Sequence, residues 1–340
     1  MKRIITVILS LAASLVVMAQ VRITTPETEL IIKADKGADL QILYFGARLS
    51  DADAANIEAA GVPGHSAYRA YGLWCASEAS LGVTHADGNL STSLKVESVM
   101  QSDVIDNSIV TKVVMKDAVY PFYVTVCYRA YQDVDMIETW TEIANLGKKP
   151  VTLTRFDSGY LPVRVGDVWL SHLHGTWAAE GLLVQEPLQR GMKVIKNKDG
   201  SRNSHTDHAE VMFSLDGKPQ ENTGRVIGAA LCYSGNYELR IDTRDTDYHE
   251  FYAGINPDNS SYKLESKEVF MTPELAFTYS DEGLSGASRN FHKWGRTYKL
   301  AHGDKLRKIL LNSWEGVYFD INEPGMDQMM ADIASMGGEL

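Results

Sequence analysis

The 340-residue sequence has few cysteines and no excess of basic charge. Its three cysteines, Cys75, Cys127 and Cys232, are widely spaced and odd in number, which excludes a disulfide framework and a Cys-x-x-Cys metal site. Acidic residues number 44 against 33 basic ones, giving a net charge of −11 without any cluster of lysine and arginine. We therefore expect no nucleic-acid partner.

Long apolar runs are also missing, apart from one at the N-terminus. Lys2 and Arg3 precede the apolar run 4–17. Val17-Met18-Ala19 then provides small or apolar residues at the positions that a signal peptidase recognises. The run is shorter than the roughly 20 apolar residues that a spanning helix needs. We expect a signal peptide over residues 1–19, cleavage after Ala19, a periplasmic or secreted location, and no membrane attachment after cleavage.

The common catalytic signatures are absent as well. The sequence contains no Gly-x-Ser-x-Gly, no Gly-x-Gly-x-x-Gly and no P-loop. It therefore lacks the common signatures of serine hydrolases, dinucleotide-binding proteins and nucleotide-binding proteins. A paired-carboxylate mechanism needs two acids on opposite sides of one bond, but the spacing of the acidic residues singles out no pair. We expect no cofactor.

Histidines are concentrated in two places. His172 and His174 stand two apart on a predicted strand and could share a metal ion, but a third ligand is not evident from spacing. His205 and His208 flank Asp207 in a polar stretch that is typical of an exposed loop. Structural and surface histidines are the simpler interpretation, and we expect no metal.

From residue 21 to about 279 the pattern is that of β-strands. Phe122, Val124, Val126 and Tyr128 alternate with Tyr123, Thr125 and Cys127, and the segment Ile137 to Ile143 alternates in the same way, which predicts a hairpin. Turn sequences such as Asp87-Gly88-Asn89 separate further β-branched runs. The pattern predicts a mainly β fold, a large antiparallel sandwich over residues 20–282, with a surface helix or loop at 49–60.

The C-terminal part changes in character. Phe291, Trp294 and Tyr298 fall at helical spacing and predict a helical connector over 283–305. The run 309–311 then predicts a strand, and methionines from Met326 predict a helix that Gly337 ends. A parallel βα unit cannot bury its own faces, so residues 306–340 indicate the first unit of a truncated (β/α)8 barrel. Trp314 is either a core aromatic or a site residue at the strand end.

Six short motifs in order resemble glycoside hydrolase family 36, the bacterial and fungal α-galactosidases. They are the run from Leu311 to Asp320, which resembles the segment that opens the catalytic barrel, and Gly175-Thr176-Trp177-Ala178, Ser204-His205, Tyr233-Ser234-Gly235-Asn236, Gly254-Ile255-Asn256-Pro257 and Thr272-Pro273-Glu274. The resemblance implies a β-supersandwich before a (β/α)8 barrel, and retaining hydrolysis of terminal α-galactosides such as melibiose and raffinose-type sugars.

The resemblance also locates the site residues. It implies that Trp314 and Trp177 bind substrate, Trp177 in its own or a neighbouring subunit of a homo-oligomer, although core packing remains open for both. The family's two arginines after Trp177 are replaced by Ala179 and Gly181. The motifs that carry the family's catalytic aspartates have no counterpart, so we expect no catalytic residue here and an inactive 340-residue chain.

Two alternatives remain. The chain could be a non-catalytic secreted module for carbohydrate binding or oligomerisation, although such a module has no reason to carry a terminal βα unit. It could also be a sugar mutarotase that uses His172 or His174 with a glutamate as acid and base, which the six motifs favour less.

Overall fold

The computed structural model describes residues 20–59, 64–72, 77–203, 205–245 and 247–340. The predicted signal peptide, residues 1–19, and Cys75 lie outside these ranges. The described strands are β1 (Gln20–Thr24), β2 (Thr28–Lys33), β3 (Gln41–Ala47), β4 (His65–Ser66), β5 (Leu81–Thr84), β6 (Leu94–Gln101), β7 (Ser108–Asp117), β8 (Phe122–Tyr131), β9 (Ile137–Asn145), β10 (Val151–Val163), β11 (Trp169–Thr176), β12 (Ala179–Pro187), β13 (Gly191–Lys196), β14 (Asp207–Ser214), β15 (Val226–Leu231), β16 (Tyr237–Asp245), β17 (Tyr248–Ile255), β18 (Tyr262–Leu264), β19 (Glu268–Met271) and β20 (Leu275–Ser280). The α-helices are α1 (Asp51–Ala59), α2 (Gly283–Trp294), α3 (Trp314–Val317) and α4 (Glu323–Ser335).

Within the described residues the strands form three sheets, and the fold is mainly β as predicted. A large sheet has the order β12-β11-β14-β15-β20-β9-β8-β7-β6, with β19 added beside β9. A smaller sheet has the order β13-β16-β17-β10-β18, with β5 added beside β10. The strands β1 to β4 form a third sheet, and the pairs between named strands are antiparallel.

The predicted hairpin is confirmed as β8 and β9. Phe122 pairs with Asn145 and Ala130 pairs with Ile137, so the two strands run antiparallel over their length. The alternation works as expected, since Ile137 and Ile143 are fully buried. The opposite face is covered as well, because Arg129 binds the buried carboxylate of Glu138 at 2.6 Å.

One apolar core joins the three sheets. Phe213 of the large sheet meets Phe251 of the smaller sheet edge to face at 5.2 Å, and Phe45 of the third sheet meets Phe277 at 5.0 Å. A Cβ at Gly159 would lie 2.5 Å from the Thr139 side chain, so the close approach of β10 to β9 requires glycine at this position. Burial of each large side chain contributes about 1.5–3 kcal/mol to this core.

The Ala- and Asp-rich segment forms the surface helix α1. Ser50 begins it, because its hydroxyl accepts a hydrogen bond from the Asp53 amide at 3.2 Å. Ala54 of the helix packs on Ile31 and Leu43, which face away from the main core. The helix therefore covers the outer side of the third sheet.

Arg240 stands at the centre of a buried ionic network on the outer face of the smaller sheet. The side chain is 3% exposed and donates hydrogen bonds to Glu78 at 2.7 Å and to Asp157 at 2.5 Å. Glu238 lies 3.1 Å from its Nε, and the guanidinium stacks over the ring of Tyr252. Because a buried cation is tolerated only when it is paired, this cluster binds the segment before β5 to strands β10 and β16.

We expect the substitution Arg240→Met to lower the free energy of unfolding by about 3–5 kcal/mol, because it leaves buried carboxylates without their cation. Urea unfolding followed by tryptophan fluorescence measures the change. The matched control is Arg225→Met, which removes an exposed partner of Asp216 and should cost at most about 1 kcal/mol. Equal losses in the two variants would contradict the assignment.

His249 is a buried histidine held in one neutral form. It is 2% exposed, and its Nε2 lies 3.2 Å from the backbone oxygen of Val165, which can only accept. The proton therefore resides on Nε2, and Nδ1 accepts a hydrogen bond from the Thr243 hydroxyl at 2.9 Å. Burial lowers the pKa of His249.

This lowered pKa predicts a loss of stability in acid. As the pH falls below about 6.5 the unfolded chain takes up the proton while the folded chain resists it, so the free energy of unfolding decreases. Urea unfolding between pH 7.5 and pH 5 should show a steeper loss for the wild type than for His249→Gln. The exposed control His292→Gln should follow the wild type, and parallel curves for wild type and His249→Gln would refute the prediction.

The chain separates into two compact units, Met1–His292 and Lys293–Leu340. Helix α2 and a π-helical turn at Gly295–Lys299 confirm the helical character predicted around Phe291 and Tyr298. Helix α4 confirms the helix predicted near the C-terminus; the Asn322 side chain accepts from the Gly325 amide at 2.9 Å and caps it. No described helix is long and apolar enough to cross a membrane.

The predicted strand at 309–311 is not a regular strand in the structure. Backbone hydrogen bonds join Ile309 to Glu339 and Leu311 to Leu340, but the pairing extends over these few residues only. A regular strand needs a neighbour along its length, and here Glu339 and Leu340 are the residues that pair with the run. The apolar stripe of α4 is only partly covered, since Met326, Met329 and Ile333 are half-buried and Met330 is 54% exposed.

Candidate functional site

A largely exposed tryptophan, Trp177, lies at the tip of the β11–β12 hairpin. The hairpin turns through residues 177 and 178, where Ala178 adopts φ +61° and its amide donates to the Glu180 carboxylate at 2.9 Å. A Cβ at Gly175 would lie 2.6 Å from the backbone oxygen of Ala179, so this turn requires glycine there. Trp177 is 78% exposed and does not pack in a core.

His172 and His174 differ in exposure and in carboxylate partner. His172 has a side chain that is 6% exposed and lies 3.2 Å from Glu186, which also binds Lys193 at 2.6 Å. His174 is 56% exposed and lies 3.0 Å from Asp207. Each histidine thus has its own carboxylate partner, and His172 leaves little surface for a sugar to contact. Among the described residues, no group of three or more potential ligands could hold a metal ion.

A shallow cleft lies beside the hairpin. It has a volume of about 380 Å³ and is lined by Glu180, Gly181, Arg202, His205 and His208. The loop that carries Arg202 and His205 is brought to the hairpin because β14 pairs with β11 and the Gly175 amide donates to the Thr206 oxygen at 2.7 Å. The sequence predicted an exposed loop for both histidines, but both are half-buried and His208 lies in β14. Arg202 was not predicted, since no spacing links it to Trp177.

The charges near the hairpin suit binding better than proton transfer. Hydrogen bonds from backbone amides lower the pKa of Glu180, and the Lys193 ammonium lowers the pKa of Glu186. Both carboxylates therefore stay ionised near neutral pH, whereas a general acid needs a raised pKa. An exposed indole beside paired polar groups offers an apolar face for a sugar ring and hydrogen-bonding partners for its hydroxyls.

Trp314 belongs to the C-terminal unit and begins helix α3. It is 44% exposed, and its ring meets Tyr318 and Phe319 edge to face at 5.6 and 5.0 Å. Its amide donates to the Asn312 side chain at 3.0 Å. These contacts hold the indole in a small aromatic cluster with part of its surface open.

The fold and the hairpin define a class of protein, a large antiparallel sandwich followed in sequence by a helical unit, with an exposed tryptophan at the tip of one hairpin. Comparison with known families agrees with this class. The model described as Glycosyl hydrolase family 36 N-terminal domain matches residues 38–265, and the one described as Melibiase matches residues 269–340. The chain belongs to glycoside hydrolase family 36, which confirms the resemblance seen in the six motifs.

Individual relatives support the same assignment. The chain is 32% identical over 232 residues to α-galactosidase AgaA of Geobacillus stearothermophilus, and 30% identical over 230 residues to α-galactosidase Mel36A of Lactobacillus acidophilus. Each match covers 67% of this chain but 31% of the relative. The crystal structure of AgaA superposes with a TM-score of 0.84 at 24% identity, over 94% of this chain and 49% of that one. The fold is therefore that of the N-terminal portion of these proteins.

Proposed function

We propose that this chain forms the N-terminal part of an α-galactosidase that hydrolyses terminal α-galactosides with retention, acting on melibiose and raffinose-type sugars. The observation that carries the proposal is the match of both family models, in order, along one chain. Crystal structures of the Geobacillus relative in complex with stachyose and with raffinose support the substrate class.

The reaction needs two carboxylates about 5–5.5 Å apart, one to attack the anomeric carbon and one to protonate the leaving oxygen and then activate water. The carboxylates near the hairpin are engaged otherwise, Glu186 with Lys193 and Asp207 with His174. The residues described here therefore contribute binding surface, with Trp177 and Trp314 each presenting an indole face to a galactose ring.

The remaining parts of the proposal concern organisation and location. We propose a sandwich over 20–282, a connector over 283–305 and the entrance of a (β/α)8 barrel over 306–340. Residues 1–19 are proposed to direct export, with cleavage after Ala19. The exposure of Trp177 supports a role in its own subunit or in a neighbouring one of a homo-oligomer.

The test is to read the coding DNA beyond codon 340 and to assay two products. We expect an in-frame continuation whose full product releases galactose from p-nitrophenyl α-galactoside and raffinose, while the 340-residue chain releases none, because its sequence lacks the motifs with the catalytic carboxylates. Galactose release by the 340-residue chain would overturn its predicted inactivity. A stop codon after Leu340, or a full product without activity, would favour a non-catalytic carbohydrate-binding sandwich.

Trp177 provides a second prediction in the longer product. Trp177→Ala should lower kcat/KM for raffinose about twofold to tenfold, if an aromatic face against a sugar contributes as much as a pair of aromatic side chains, about 0.5–1.5 kcal/mol. The Tm should stay unchanged, since the side chain is 78% exposed. The control Val119→Ala, at another exposed apolar residue, should alter neither quantity. An unchanged kcat/KM in Trp177→Ala would remove Trp177 from the site.

A further inference from the structure

A second cleft lies in the sandwich and shares no residue with the hairpin site. It has a volume of about 260 Å³, and its lining includes His85, Tyr120, Phe122, Asn145, Lys148 and Lys149. Pockets that hold drug-sized ligands run from about 300 to 1,000 Å³, so this cleft suits a ligand of about one ring.

One wall of the cleft is aromatic and rigid. The rings of His85 and Tyr120 stack at 3.8 Å with 12° between their planes. The Tyr120 hydroxyl donates to Asp87 at 2.8 Å and accepts from the Asn89 side chain at 2.9 Å. These bonds orient Tyr120 before any ligand arrives, which reduces the entropy cost of binding.

The facing wall is a turn organised by Asn145, which is 2% exposed. Its amide nitrogen donates to the backbone oxygen of Lys149 at 2.9 Å, and its side-chain oxygen accepts from the Gly147 amide at 3.0 Å. The Ser266 hydroxyl donates to the Gly147 oxygen at 2.6 Å. The turn that carries Lys148 and Lys149 is therefore held in place by its own hydrogen bonds.

The two lysines give the cleft a positive rim. Both are exposed, and within the described part of the chain neither ammonium group forms an ion pair or a hydrogen bond. Asp87, which lies beside the aromatic wall, accepts a hydrogen bond from the Tyr120 hydroxyl. In a protein with a net charge of −11, two adjacent cations without a carboxylate partner favour an anionic ligand.

Apart from the two lysines, the polar side chains of Asn145 and His85 in the lining already have partners inside the protein. The Asn145 amide is bound as described, and His85 Nε2 lies 2.9 Å from the Thr92 hydroxyl. A sugar ring would leave several hydroxyls without partners here, at a cost for each that is buried. The body of the ligand should therefore be apolar and flat.

We propose that this cleft binds a small aromatic carboxylate, with its ring beside Tyr120 and its carboxylate between Lys148 and Lys149. The stacked wall supplies an apolar face, and the lysines supply charge complementarity. The proposal is independent of the galactosidase function, because no residue of the hairpin site takes part.

The test is titration of the 340-residue chain with benzoate, followed by chemical shifts of backbone amides or by calorimetry. We expect saturable binding that shifts the amides of Tyr120 and Lys149. Benzyl alcohol, which has the ring without the charge, and galacturonate, which has the charge without the apolar ring, should each bind at least fivefold more weakly. Galacturonate binding as tightly as benzoate, or no benzoate binding, would overturn the proposal.

Variants separate charge from shape. Lys148→Gln with Lys149→Gln should weaken benzoate binding about threefold to tenfold, the effect of two partly exposed ion pairs, while Lys36→Gln with Lys218→Gln leaves it unchanged. Ala86→Phe, at an exposed lining residue, should abolish binding, while Val119→Phe outside the lining should not. If either variant bound benzoate with the same affinity as its control, the binding site would lie elsewhere in the protein.

Discussion

The pairing of Arg240 is the interaction on which much of the smaller sheet depends. A guanidinium that is 3% exposed needs counter-charges, and it obtains them from Asp157 on β10, Glu238 on its own strand and Glu78 just before β5. The strands that carry these carboxylates must therefore lie where they do for the cation to be tolerated. Arg69 forms a second ion pair of this kind, because it binds the buried carboxylate of Glu250 at 2.5 Å. Polar groups thus cover the outer face, while apolar side chains occupy the inner one.

This distribution explains what could be predicted from the sequence. The β8–β9 hairpin was predictable because alternation reports directly which side chains face the core. Helix α4 was predictable because its apolar stripe and its terminal glycines lie within a short stretch of chain. The ionic network was not, since Glu78, Asp157 and Arg240 are far apart in sequence and only strand pairing brings them together.

The candidate site also contains one residue that the sequence predicted and one that it did not. Trp177 was found through a motif, and its exposure follows from a hairpin turn that local sequence specifies. Arg202 was missed because its approach to the hairpin depends on the pairing of β14 with β11. The strand expected before Trp314 failed for a related reason: an apolar run becomes a strand only where a neighbour satisfies its backbone.

The carboxylates beside the β11–β12 hairpin have partners within the sandwich. Glu186 contacts Lys193 and His172, and Asp207 contacts His174, so both carboxylates are engaged within the sandwich. The exposed tip of the hairpin can change in sequence while the sandwich core stays the same.

The close approach at Gly159 has a consequence for how the gene can change. Every missense substitution of a glycine codon adds at least a Cβ, and here that atom would lie 2.5 Å from Thr139 and 3.0 Å from Leu275. No single amino-acid replacement at this codon is therefore sterically silent. A replacement of Gly159 would therefore be tolerated only after a smaller residue had replaced Thr139 or Leu275.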